Sequence, residues 1–157
     1  MLPNKILSDE DLRIWCRQNV PGFVDVINRT QVPEYYKVMQ PGESLIMNLD
    51  PNYAHGGTHW TALRVSSVAP LVYYKDSFGA PCPQEVVSAV NNSHLRGLIY
   101  GNKIYQKLNE VNCGKRAAYW LRDMAKCAET GNEIECFERS ESLGAQSASP
   151  ATLGPLH

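Results

Sequence analysis

Apolar positions along this chain change their spacing several times, and each change marks a new element. Between Ser8 and Asn19 they recur at helical intervals, with Leu12, Trp15 and Cys16 on one face. Ser8 ahead of Asp9-Glu10-Asp11 supplies an N-cap and acids for a first turn, so a helix is expected up to Asn19, closed by Pro21-Gly22. From Phe23 to Gly42 no period holds. Pro33 and Pro41-Gly42 interrupt the stretch, and Tyr35-Tyr36 predict only a short turn or helix. The pattern then turns β-like: Ser44–Leu49 reads as a buried strand, His59–Val65 as a second and Leu71–Lys75 as a third. The Gly-rich stretch from Asp50 to Thr58 joins the first two, and Asp76-Ser77-Phe78-Gly79 closes the third. Pro83 opens a short helix over Gln84–Val90, and Leu98–Tyr100 and Lys103–Leu108 are strand pieces around Gly101. From Cys113 the spacing is helical again: Ala117, Trp120, Leu121, Met124 and Ala128 form one apolar face, and Gly131 is the expected stop. Strands flanked by helices make this an α+β chain, with a small mixed or antiparallel sheet and Cys113 at the start of a central helix.

Composition narrows the picture in three places. At 157 residues, 43% hydrophobic and 20% charged, residues 1–139 are expected to form a single domain. Residues 140–157, rich in Ser, Ala, Gly and Pro, are expected to form a flexible tail. A net charge of −1 gives no global attraction to nucleic acid or anionic membrane. No apolar run approaches the roughly 18 residues of a membrane helix, and no signal-peptide pattern opens the chain, so an intracellular, unsecreted protein is expected. Five cysteines without paired C-x-x-C spacing argue against a disulfide framework or a zinc site, leaving one functional thiol and four buried or incidental ones. No metal and no cofactor are called for.

The chemistry concentrates on four residues. Cys113 stands where unpaired N–H groups and the helix dipole favour a thiolate. His59 sits at a loop-to-strand junction, a rigid place for a base, whereas His55 lies in the loop without a strand to hold it. Asp76 ends the next strand, where hairpin pairing brings a carboxylate beside His59 to orient the imidazole. Gln106, seven positions before Cys113, can donate to a developing oxyanion beside the Cys113 N–H. Each has a plainer reading: a buried thiol, a surface histidine, a turn aspartate, a surface amide. Four of them in one order are much less expected by chance than any one.

That ordered set, Gly56-Gly57-Thr58-His59-Trp60, Asp76-Ser77-Phe78-Gly79, Gln106 and Cys113-Gly114, resembles the adenovirus protease (adenain) family and, more broadly, the ubiquitin-like-protein protease clan. The acid follows the histidine by 17 positions, and the seven-residue step from Gln106 to Cys113 is similar to adenain rather than to cellular deSUMOylases. The order also differs from papain, in which glutamine and cysteine come first. The resemblance runs from Leu7 to Ala128, with specific motifs from Ser44 onward. It implies a cysteine-protease fold and a viral endopeptidase. Such an enzyme cleaves virion precursor proteins at Gly-containing sites, in an infected cell's nucleus or cytoplasm or in the virion. The family also implies activation by a peptide or by DNA. Where the family continues with apolar residues after Cys-Gly, this chain has Lys115-Arg116, so a more exposed first turn is expected. The same residues serve an isopeptidase acting on ubiquitin or a related modifier, or an acetyltransferase of the clan. A non-catalytic virion scaffold is the alternative from another class.

Overall fold

The computed structural model describes residues 1–49, 59–77, 79–101 and 112–142, and the backbone of 152–154. Ser8 caps helix α1 (Asp9–Asn19) reciprocally: its hydroxyl takes the Asp11 N–H, and the Asp11 carboxylate takes the Ser8 N–H. Strand β1 (Phe23–Asn28) follows, then a 3-10 turn (Arg29–Gln31) and the short helix α2 (Val32–Tyr36). The stretch Phe23–Gly42, expected to be irregular, therefore holds a strand whose pattern is broken by Asp25, paired with Arg13. Strands β2 (Ser44–Asn48), β3 (Trp60–Val65) and β4 (Leu71–Lys75) lie where the apolar runs placed them. Helix α3 (Gln84–Asn91) has Pro83 as its N-cap, and β5 is Gly97–Tyr100. Helix α4 runs Cys113–Glu129 with Thr130 as its C-cap, and the following Gly131, at φ +79°, takes the left-handed conformation that suits glycine after a helix.

The strands form one mixed sheet in the order β1-β2-β3-β4-β5-β6, with β6 the short segment Thr152–Gly154. β1 and β2 are parallel, as are β4 and β5, while β2-β3, β3-β4 and β5-β6 are antiparallel. Both faces are covered, which is why the central strands read as continuous apolar runs. Ile46, Trp60, Ala62 and Tyr73 pack with α1, α4 and Phe137 on one face. Leu45, Met47, Leu63, Val65, Val72 and Tyr74 pack with α2 and α3 on the other. The α+β class and the helix-flanked mixed sheet stand as the sequence pattern implied.

Helix α5 (Glu133–Ser142) was not anticipated, and it enters the stretch from Ser140 expected to carry no secondary structure, as does β6. The expectation of one functional thiol and four buried or incidental cysteines, with no disulfide framework, is corrected for two of them. Cys127 near the end of α4 and Cys136 on α5 form a disulfide with their Cα atoms 6.3 Å apart, leaving Cys16, Cys82 and Cys113 free. The turn at Gly131 folds α5 back toward α4, so two cysteines nine positions apart meet without any framework spacing. No described helix is long and apolar enough to cross a membrane.

Candidate active site

Three of the four residues singled out in the sequence converge at the N-terminal end of α4. Gln106 and the strand piece Lys103–Leu108 lie outside the described residues, as do the loop before His59 and Phe78. His59 directly precedes β3, and its carbonyl accepts from the Leu49 N–H at 2.9 Å, so the ladder to β2 fixes its backbone. In the β3–β4 pairing Ala62 faces Lys75, so one step further Thr61 faces Asp76. His59 lies two residues before Thr61 on the same side, within diagonal reach of the carboxylate. His59 Nε2 meets Asp76 Oδ1 at 2.5 Å, leaving Nδ1 as the ring nitrogen available to a thiol. Asp76 also closes its turn, its carbonyl accepting from the Gly79 N–H at 2.9 Å. The turn role and the carboxylate role thus coexist.

Cys113 opens α4. Asn112, the residue in the cap position, makes no side-chain cap. Its Oδ1 accepts instead from Arg116 Nε at 3.2 Å, so the amide stays away from the first-turn N–H groups near the sulfur. The Trp60 N–H points to Cys113 Sγ at 3.5 Å. Burial alone would push this thiol up. The hydrogen bond and charge of His59, with the N–H groups of Trp60 and Gly114, outweigh burial and hold it below the ordinary value. Burial likewise disfavours a charged His59, but the Asp76 carboxylate and the Cys113 sulfur reverse this and raise the imidazole to about 9. The other free cysteines move the opposite way: burial lifts Cys16 to about 12 and raises Cys82 further. Only Cys113 among the three free thiols is set to ionise, and its partner is set to carry the proton.

The surroundings explain two residues next to the motifs. Trp60 is buried and donates its indole N–H to the Leu7 carbonyl at 3.1 Å, which ties the N-terminal segment over the site. A Cβ on Gly114 would lie 3.0 Å from Trp60 Cδ1 and 3.4 Å from the Leu12 methyl carbons, so glycine lets the helix start pass close under the indole. The sequence reading gave no role to the N-terminal residues. Leu2 and Leu7 are buried, and the Leu2 N–H donates to the Tyr119 hydroxyl at 2.9 Å. Leucines before a capped helix were the available signal. Lys115 and Arg116 are half-buried, less exposed than their charge implied.

Beside Cys113 lies a cavity of about 330 Å³. Trp60 and Ser77 bound it on the sheet side, Ala117 and Trp120 on α4, and Ser140 on α5. Lys75, Arg116 and Asp123 also line it, so charged groups rim walls whose exposed surface is mostly apolar. Among the described residues, no group of three or more His, Cys, Asp or Glu side chains could hold a metal ion.

No protein-family model matches this sequence. No curated protein matches it either. The fold, however, is similar to the crystal structure of ASFV pS273R protease, with a TM-score of 0.55 and 17% identity over 84% of this chain and 62% of that chain. The selenomethionine form of the same protease aligns at 15% identity with a TM-score of 0.48 over the same shares. The chain thus spans about three-fifths of that protease's length. At this identity the likeness establishes the fold alone, one shared with that protease.

Proposed function

We propose that this chain is a cysteine endopeptidase, and more specifically a viral maturation protease that cleaves virion precursor proteins at Gly-containing sites. One observation carries the reading. Cys113 at a helix start shares hydrogen bonds with His59 and the Trp60 N–H, while Asp76 occupies the far nitrogen of the same imidazole. In this assignment the Cys113 sulfur attacks the peptide carbonyl, and His59 gives its proton to the departing amine as the C–N bond breaks, leaving a thioester. His59 then takes a proton from water, the hydroxide cleaves the C–S bond, and the acid product and the thiolate–imidazolium pair are restored. The Cys113 N–H and Gln106 are assigned to the oxyanion on the order of motifs and the resemblance. The viral and maturation parts rest on the resemblance to adenovirus proteases and on the likeness to the ASFV protease fold.

The test is a panel of peptides with Gly near the scissile bond, run beside ubiquitin-like modifier probes bearing a C-terminal electrophile. Wild type and Cys113→Ala are compared throughout. Peptide cleavage by wild type alone, without probe labelling, supports the endopeptidase. Strong labelling of Cys113 by a modifier probe replaces it with the isopeptidase. Inactivity on both returns the chain to a scaffold role.

A further inference from the structure

Helix α4 carries two cysteines with opposite redox requirements. Cys113 at its start must be a free thiol to react, whereas Cys127 is bonded to Cys136. They are 14 positions apart on one helix, roughly 21 Å at 1.5 Å per residue, so neither sulfur reaches the other. Cys127 and Cys136 are both half-buried, open enough for exchange with an external thiol, while Cys113 is more enclosed.

The disulfide bears on α5, and α5 bears on the cavity beside Cys113. Phe137, one residue after Cys136, is fully buried and packs on Tyr73 at 5.1 Å and edge-on to Trp120 at 6.0 Å between ring centroids. Trp120 is itself a wall of the cavity, and Ser140, one turn further along α5, is another. A contiguous set of contacts therefore runs from the disulfide through Phe137 to Trp120 and the substrate side of Cys113. Glu133, which accepts from Arg64, Ser66, Ser67 and Tyr73, holds the start of α5. The disulfide and Phe137 add a second hold, beginning at Cys136.

We infer that the Cys127–Cys136 disulfide is a redox clamp on the wall of the substrate cavity, opened by dithiol reductants without change at Cys113. This rests on the cysteine-endopeptidase reading for the identity of the cavity's ligand. In the opening step a dithiol breaks the Cys127–Cys136 bond. Two electrons and two protons pass to the protein, both cysteines become thiols, and the reductant takes up the S–S bond. Because the clamp touches the cavity and not the reacting atoms, it acts on KM, and the intrinsic reactivity of Cys113 stays the same.

The test compares wild type with the Cys127→Ser/Cys136→Ser double variant, each with and without dithiothreitol. Peptide mapping under non-reducing denaturation should find a linked Cys127–Cys136 peptide and three free thiols in wild type; five free thiols overturn the inference. Hydrogen exchange of residues 133–142 should quicken on reduction of wild type and be equally fast in the double variant under both conditions. Peptide KM should rise roughly fivefold or more on reduction of wild type, to the value of the double variant, which ignores the reductant. The rate of Cys113 alkylation by iodoacetamide should match in all four samples. Unchanged exchange, unchanged KM, or a reductant response equal in both proteins each overturns the clamp. Failure of every form to cleave any peptide refutes the protease reading instead, and thiol count and exchange still decide whether the disulfide holds α5.

Discussion

The two ends of helix α4 each face a buried polar cluster on the β3–β4 hairpin, and the clusters are built on opposite plans. At the C-terminal end, Glu133 receives Arg64 Nε at 2.9 Å and the Ser67 N–H at 3.1 Å on one oxygen, and the Ser66 and Tyr73 hydroxyls on the other. Arg64 also donates to the Gly42 carbonyl and the Ser67 hydroxyl. Both charged side chains are almost wholly enclosed, at 3% and 1% exposure. Such a saturated pair holds shape. At the N-terminal end the donors converge on a sulfur, one imidazole and one thiol are displaced from their ordinary protonation in opposite directions, and a cavity opens alongside. Displaced protonation beside open space is what the proposed protease chemistry needs. Burial of charge is common to both ends, so burial alone does not distinguish structure from chemistry. The distinction lies in whether the partners saturate the charge or poise it.

The sharpest way to break this contrast is to remove the thiol. Cys113→Ala should lower turnover by about 10⁴-fold or more while leaving the melting temperature nearly unchanged. His59→Ala should follow at roughly 10²–10⁴-fold, with Asp76→Ala smaller because it orients the base and moves no proton. Alkylation and peptide mapping should find Cys113 the fastest of the free cysteines. Faster labelling of Cys16 or Cys82 would place the chemistry elsewhere.

The mirror experiment is Arg64→Ala, which leaves Glu133 charged and buried without its cation. It should destabilise the fold by about 3–5 kcal/mol in urea titration. Turnover per folded molecule should stay close to wild type. A large loss of kcat in fully folded Arg64→Ala would mean that the C-terminal end of α4 acts on the chemical step and not through the cavity wall alone.

How much of this was legible in the sequence follows the same division. Helix starts, strand ends and turns carry their own local signals, and His59, Asp76 and Cys113 occupy such positions. The stabilising end was hidden because its logic is tertiary. In α5 the charged Glu133 points inward and Ile134 is 40% exposed, the reverse of what an apolar pattern reports. Strand β1 was obscured in the same way, since it carries Asp25, whose charge is met by Arg13 of α1 at 2.7 Å. The disulfide needed the α4–α5 turn before its two cysteines became neighbours.

Gln106→Ala tests the reach of the reactive end into residues known here only by sequence. As an oxyanion donor it should cost roughly 10²–10³ in kcat, with a smaller change in KM. Near-normal turnover removes Gln106 from the mechanism.

A pH profile sharpens the poised end further. Cys113 is lowered and His59 raised to about 9, so the thiolate–imidazolium pair is populated between the two, and activity should be bell-shaped. The limbs belong to the coupled pair, the alkaline one falling near 9. For stability the sign is fixed by the raised imidazole. Its contribution is complete below its ordinary 6.5 and is lost as pH climbs through about 9. Asp76→Asn should draw the alkaline limb down toward 6.5; a limb that stays near 9 would deny Asp76 its hold on His59.

The smallest effect is expected from a segment that belongs to neither end. Thr152–Gly154 pairs with β5 through Leu98↔Gly154, Ile99↔Leu153 and Tyr100↔Thr152, at the edge of the sheet. A ladder of this length adds a few hydrogen bonds at about 1 kcal/mol each. Fixing three backbones costs roughly 1–2 kcal/mol apiece. The two nearly cancel, so the strand adds little to stability. His59 is anchored through β2 and β3, which lie three or more strands from this edge, and Cys113 through α4, which packs on β3. Deleting residues 143–157, which spares α5 and Ser140, should therefore leave kcat/KM within about twofold and the melting temperature within a few degrees. The adenain resemblance supplies the opposing expectation of a peptide laid along the sheet that switches such an enzyme on. A tenfold loss on deletion, restored by adding the 143–157 peptide in trans, would favour that activating strap over the cancellation argued here.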